Sequence, residues 1–140
     1  HHVDAGAVRF AFAATRRRVM LVTDNVSAFG MPPGEYELGG QMLTIVEGEP
    51  ALREDGTIAG AAVRLDTCVA NAVASGVALG DAIAAVTSVP ATALGHADLG
   101  HLRPGAAADF VLLGAADLRT EQTWIGGAKA FDRDRLTVRD

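Results

Sequence analysis

The chain has 140 residues, a net charge of −5, 49% apolar residues and a single cysteine. Its length suffices for one ordinary domain with a sizeable core. The acidic balance without a basic stripe argues against a nucleic-acid surface. No apolar run approaches the ~20 residues of a membrane span, and one cysteine rules out an internal disulfide and fits a cytosolic compartment.

His1-His2-Val3-Asp4 opens the chain, and its histidines have two readings: remnants of a purification tag, or part of a functional segment. From Ala5 to Ala14, AGAVRFAFAA places Val8, Ala11, Phe12 and Ala14 on one helical face, with Asp4 as the N-cap. Arg16-Arg17-Arg18 follows as a solvated cluster at the negative end of the helix dipole. Val19 to Val22 form a short apolar run, the pattern of a strand buried on both faces. It ends in Thr23-Asp24 and breaks into small and polar residues through Gly30. A carboxylate at that position either caps the next turn or, in barrel enzymes, sits at the end of the strand where the chemistry is done.

Met31 to Gly60 changes character. Pro32-Pro33-Gly34 and Gly39-Gly40 mark turns, and Glu35–Leu38 and Gln41–Val46 alternate polar with apolar residues. Ala51-Leu52-Arg53 reads as a further short strand between two Glu- and Gly-containing turns. The whole is a small β excursion, suited to form a lid or substrate wall. Asp66 to Ser75 is then predicted as a helix with Val69, Ala72 and Val73 on one face and Gly76 as its stop. Cys68 within it acts as a small hydrophobe. Asp81–Val86 and Pro90–Gly95 are two further short helical pieces. His96 and His101 lie five apart in a Gly-rich loop, not at the four-residue spacing of a helical metal pair, so no metal site is predicted there. Asp109 fixes a turn through backbone N–H groups before a buried strand. That strand pairs with Thr123-Trp124-Ile125, which pairs through Gly126-Gly127 with Ala128–Phe131. Arg133 to Asp140 forms a polar, exposed end.

Three motifs carry a resemblance. Leu21-Val22-Thr23-Asp24, followed by Ala28-Phe29-Gly30-Met31-Pro32, resembles the last barrel strand of the N-acetylglucosamine-6-phosphate deacetylases. Gly34-Glu35-Tyr36-Glu37-Leu38-Gly39-Gly40 is similar to an insertion of the same family. Gly100 to Leu113, with Pro104-Gly105 and Ala108-Asp109, resembles a signature shared widely by amidohydrolases. The similarity is collinear from His2 to about Phe131.

The resemblance implies an α/β fold. Residues 1–95 would be the C-terminal end of a (β/α)8 TIM-type barrel, with the β excursion at 31–60, and residues 96–140 the C-terminal strands of a small β-sandwich domain. Because 140 residues cannot close a barrel of ~250, the chain is expected to be the C-terminal fragment of a longer enzyme, inert alone. The implied reaction hydrolyses the N-acetyl group of N-acetylglucosamine 6-phosphate. Asp24 would be the catalytic acid/base, His2 would contact the sugar, and Ile58, Ala59 and Gly60 would approach it through their backbone. Ala61 stands where the family has serine and Val89 where it has asparagine. A divalent ion, zinc or iron, is implied, with its Glu and two His ligands on earlier strands outside these residues. Asp24 has a second role open to it as an additional ligand, as in many amidohydrolases. The implied partners are a phosphorylated N-acetyl amino sugar, the N-terminal remainder of the enzyme and a second subunit, in the cytoplasm. Two alternatives stay open: an amidohydrolase for another N-acyl or cyclic amide, and a non-catalytic paralogue acting as a binding subunit.

Overall fold

The computed structural model describes residues 3–15 and 18–135. Helix α1 (Ala5–Thr15) begins as the sequence predicts, with the Asp4 carboxylate accepting the Gly6 N–H at 2.7 Å. Val8 and Phe12 pack on the neighbouring helices, while Ala14 is exposed. Arg16 and Arg17 lie outside the described residues, and Arg18 is exposed.

Val19–Val22 departs from expectation, since it forms no strand. Leu21 alone is anchored, its N–H donating to Ala85 O at 3.0 Å and its side chain packing on the helical cluster. Met20 and Val22 are 49% and 75% exposed. An apolar run becomes a strand buried on both faces only when strands flank it and helices cover it; among the described residues nothing flanks this one.

The excursion folds as an antiparallel sheet, β1 (Gly34–Leu38), β2 (Gln41–Ile45), β3 (Ala51–Arg53) and β4 (Ile58–Gly60), in that spatial order. Gly39 and Gly40, both at positive φ, make the two-residue turn that pairs Leu38 with Gln41. Period-two alternation turns Tyr36, Leu38, Leu43 and Ile45 inward, where Ile45 joins Ala51 and Ala28 in one apolar cluster. Asp55 closes the β3–β4 turn by accepting both the N–H and the hydroxyl of Thr57.

The second cluster is helical, built on α2 (Leu65–Ala74) and α3 (Leu79–Ala84) through Val69, Ala72, Val77 and Ala82. Helix α2 ends in a Schellman arrangement, with Gly76 N–H donating to Val73 O and Val77 N–H to Ala72 O, which draws Val77 into the core. Helix α4 (Ser88–Ala93) closes likewise through Gly95 and His96. It starts two residues before Pro90, which still falls in the first turn, where a missing N–H costs nothing.

The C-terminal sheet is antiparallel in the order β5 (Phe110–Leu113), β6 (Thr120–Ile125), β7 (Ala128–Asp132). Phe110 and Trp124, paired across β5 and β6, stack with centroids 5.6 Å apart. The polar end predicted from Arg133 onward is in part structured: residues 133–135 form a 3₁₀ turn whose Arg133 reaches Asp117 and Glu121. Long side chains with fixed partners close by hold that turn in place; residues 136–140 lie outside the described set.

Candidate active site

Asp24 has the left-handed backbone, φ +54°, one of two described non-glycine residues with positive φ. Such conformations are uncommon for side-chain-bearing residues and persist where the surroundings over-determine them. The surroundings here are the segment leaving β4. Ala61 N–H donates to Asp24 O at 2.7 Å, and Val26 N–H donates to Ala61 O at 3.1 Å. These two bonds bracket Asn25, which forms a parallel bridge with Ala61. Beyond them the Asn25 amide bonds both backbone groups of Val63, donating to its carbonyl at 2.8 Å and accepting from its N–H at 3.0 Å.

Gly60 explains how the two segments come so close. A Cβ there would lie 2.9 Å from Asp24 O and 2.9 Å from Val26 Cγ1, nearer than real Cβ contacts allow. Past Asp24, Val26 and Ala28 pack onto Ile45 and Ala51, so the loop rests on the face of the β1–β4 sheet. Of the site residues taken from the sequence, Asp24 and Gly60 therefore meet through their backbones. Ala59 is half-buried beside them and Ile58 is exposed. His2 lies outside the described residues.

The other candidates serve structure. Asp109 accepts the Gly126 N–H at 2.7 Å and so ties the Pro-Gly loop to the β6–β7 turn. Cys68 is half-buried, and burial pushes its thiol above the ordinary value, away from a reactive thiolate. A groove of about 730 Å³ between α2, α3 and the β5–β7 sheet is lined by Val69, Ile83, Val86, Phe110 and Trp124. Neither Asp24 nor Gly60 lines it. Among the described residues no group of three or more His, Cys, Asp or Glu side chains is arranged to hold a metal ion. No described helix is long and apolar enough to cross a membrane.

Two residues that matter locally escaped the sequence reading. Asn25 is one; its only signal was a polar amide directly after the strand-end aspartate. Asp66 is the other, 9% exposed and the one buried charge among the described residues. It accepts the Thr120 N–H at 2.8 Å across from α2 to β6, and Arg64 chelates it at 2.8 and 3.2 Å. Its signal was an acid heading an otherwise apolar helix, which also reads as an ordinary first-turn carboxylate.

The Amidohydrolase family model matches residues 56–135, a span that takes in Gly60 and the Ala108-Asp109 segment and begins after Asp24. The chain is 35% identical over 132 residues to N-acetylgalactosamine-6-phosphate deacetylase of Escherichia coli O157:H7, covering 93% of this chain and 34% of that protein. It superposes on N-acetylglucosamine-6-phosphate deacetylase from Pasteurella multocida with a TM-score of 0.84 at 26% identity, covering 91% of this chain and 34% of the other. The Mycobacterium smegmatis enzyme, solved as an aspartate-to-alanine mutant in complex with N-acetyl-D-glucosamine-6-phosphate, gives a TM-score of 0.79 at 30% identity, with 91% and 35% covered. The chain belongs to the N-acetylglucosamine-6-phosphate deacetylase family of amidohydrolases. It spans about a third of the length of these relatives, and 78% of one relative from Escherichia coli K12.

Proposed function

We propose that this chain is the C-terminal third of a metal-dependent amide hydrolase that removes the acetyl group from an N-acetylated amino sugar 6-phosphate. The observation that carries the proposal is the backbone of Asp24, held at φ +54° by Ala61 against a glycine that admits no side chain. Such rigidity suits a group that must meet a reacting atom within a few tenths of an ångström. Asp24 takes the proton of the attacking water and returns it to the departing nitrogen, because an amine leaves poorly unless protonated. A divalent ion, zinc or iron, would supply a polarised water and amide carbonyl, its ligands lying on residues beyond these 140 with Asp24 as an additional donor. Ile58, Ala59 and Gly60 border the sugar through their backbone, and His2 contacts it.

The same reading makes Val19–Val22 the last strand of a TIM-type barrel, residues 1–95 the C-terminal end of that barrel, and β5–β7 within residues 96–140 the C-terminal part of a small β-sandwich. The exposure of Met20 and Val22 supports it, since both become covered once flanking strands are present. The exposed Phe10, Leu94 and Leu102 support further packing partners, the rest of the polypeptide and a second copy in a homodimer. A single cysteine and a phosphorylated substrate fit the cytoplasm.

The test is acetate release from N-acetylglucosamine 6-phosphate and its galacto isomer by the full-length enzyme and its Asp24→Asn variant, with metal content measured on both. General acid–base groups contribute about 100- to 10,000-fold, so kcat is expected to fall at least ~100-fold with metal retained. Near-normal turnover in the metal-replete variant returns Asp24 to turn-capping. Loss of metal together with activity makes Asp24 chiefly a ligand. Activity on neither sugar directs the search to another N-acyl substrate.

A further inference from the structure

We infer that Asn25 is a positioning residue for Asp24, an inference that rests on Asp24 being the acid/base. The Asn25 side chain presents an amide NH2 and an amide oxygen, and each makes one bond to the same residue, Val63. It thereby acts as an extra peptide group. The main chain supplies the Asp24–Ala61 and Val26–Ala61 rungs, and the Asn25 amide supplies the next, two residues further along. No other side chain of that length carries both groups in one plane: serine has a single oxygen, aspartate has no donor, and glutamine misses the register by a methylene.

The placement says what the rung is for. Asn25 is exposed, and exposed hydrogen bonds trade against water at little net gain. Its bonds nevertheless span 38 positions of sequence and clamp the peptide that follows the strained Asp24. Without them, the seam beside Asp24 loses one of its rungs, and the Asp24–Ala61 and Val26–Ala61 bonds are left to carry it. The clamp thus contributes little to global stability and much to where the Asp24 carboxylate is held. A misplacement of about 1 Å costs ~100-fold in rate, and partial loosening is expected to cost less.

The experiment is a double-mutant cycle in the full-length enzyme with Asn25→Ala, Asp24→Asn and the pair, following acetate release, Tm and amide hydrogen exchange. In the Asp24 background, Asn25→Ala is expected to lower kcat about tenfold, with KM within about twofold and Tm within about 2 °C. The Ala61 and Val26 amides are expected to exchange about tenfold faster. In the Asp24→Asn background the same change should leave kcat unaltered, because the group it positions is gone. Asn25→Ser, which cannot bond both Val63 groups, should behave as Asn25→Ala and carries the test if the alanine variant does not fold. An equal loss of kcat in both backgrounds makes Asn25 merely structural and overturns the inference, as does unchanged kcat in Asn25→Ala. Retained turnover in Asp24→Asn alone overturns the acid/base reading instead, and so separates the two failures.

Discussion

The two sheets are fastened to the rest of the chain by different physics. The β1–β4 sheet meets the Asp24 segment backbone to backbone, through the Ala61 rungs and the close approach at Gly60. The β5–β7 sheet meets helix α2 through one buried carboxylate, Asp66, and its bond to Thr120 N–H. A backbone seam carries no titratable group and is broken mainly by added bulk. A side-chain anchor is broken by removing charge and responds to pH. The region proposed for chemistry has the first kind, which fixes atoms most tightly, and the region that only supports it has the second.

Bulk at the seam therefore should produce the largest effect. In Gly60→Ala the new Cβ meets Asp24 O and Val26 Cγ1 at 2.9 Å, and neither neighbour is the free end of a flexible side chain. The segments must part by several tenths of an ångström. Overpacking of this kind costs ~1–3 kcal/mol, and the displaced Asp24 should lower kcat by about 30- to 100-fold. Steady-state kinetics and thermal unfolding of the full-length enzyme measure both. A Gly60→Ala protein with native kcat would show that the seam yields without moving Asp24.

The Asp66 anchor should respond differently. Asp66→Asn keeps the volume but gives up the charge that Arg64 and Thr120 N–H both address. Hydrogen bonds to charged groups contribute ~1.5–3 kcal/mol, so a loss of about 2 kcal/mol is expected, with kcat of the folded protein nearly unchanged. The anchor also has a pH signature. Burial alone would raise the Asp66 pKa, but the Thr120 N–H and the Arg64 guanidinium outweigh it and hold the carboxyl below its ordinary 3.8. The folded state thus protonates at lower pH than the unfolded chain. Its contribution is complete above the unfolded value of about 3.9 and fades as pH falls through the folded one. The Tm gap between wild type and Asp66→Asn should be flat from pH 7 to 5 and narrow below about pH 4. A gap that widens on acidification would put the stabilising charge elsewhere.

The same contrast explains what was legible in the sequence. Strands β1 and β2 follow from alternation and from Gly39-Gly40, and α2 from its Val69-Ala72-Val73 face, because local pattern fixes local structure. Asp109 was legible in part: it does bond a backbone N–H, but that of Gly126, 17 residues on in the β6–β7 turn, which turn chemistry does not foretell. Val19–Val22 misled because burial on both faces depends on neighbours that a periodicity cannot see. Asn25 and Asp66 were missed because what makes them matter is distant in sequence: Val63 is 38 residues from Asn25, and Thr120 is 54 from Asp66. Polar residues reveal such partners only once the chain has folded.

The smallest expected effect isolates the anchor from its surroundings. Arg133 ties the end of β7 to β6 within the same sheet, reaching Asp117 at 3.3 Å and Glu121 at 3.4 Å. All three side chains are 38–49% exposed, so water screens the attraction and ordering a long arginine offsets much of it. Asp117 also has other work that arginine does not supply, accepting the Arg119 N–H at 3.0 Å in the turn before β6. Removing Arg133 leaves that turn intact and leaves the Asp66–Thr120 bond untouched. Arg133→Ala is therefore expected to shift Tm by no more than about 2 °C, and raising salt should shrink even that difference. Differential scanning calorimetry of wild type, Asp66→Asn and Arg133→Ala at low and high salt makes the comparison directly. If Arg133→Ala lowers Tm as much as Asp66→Asn does, exposed ion pairs inside the sheet contribute as much as the buried carboxylate, and the contrast between the two fails.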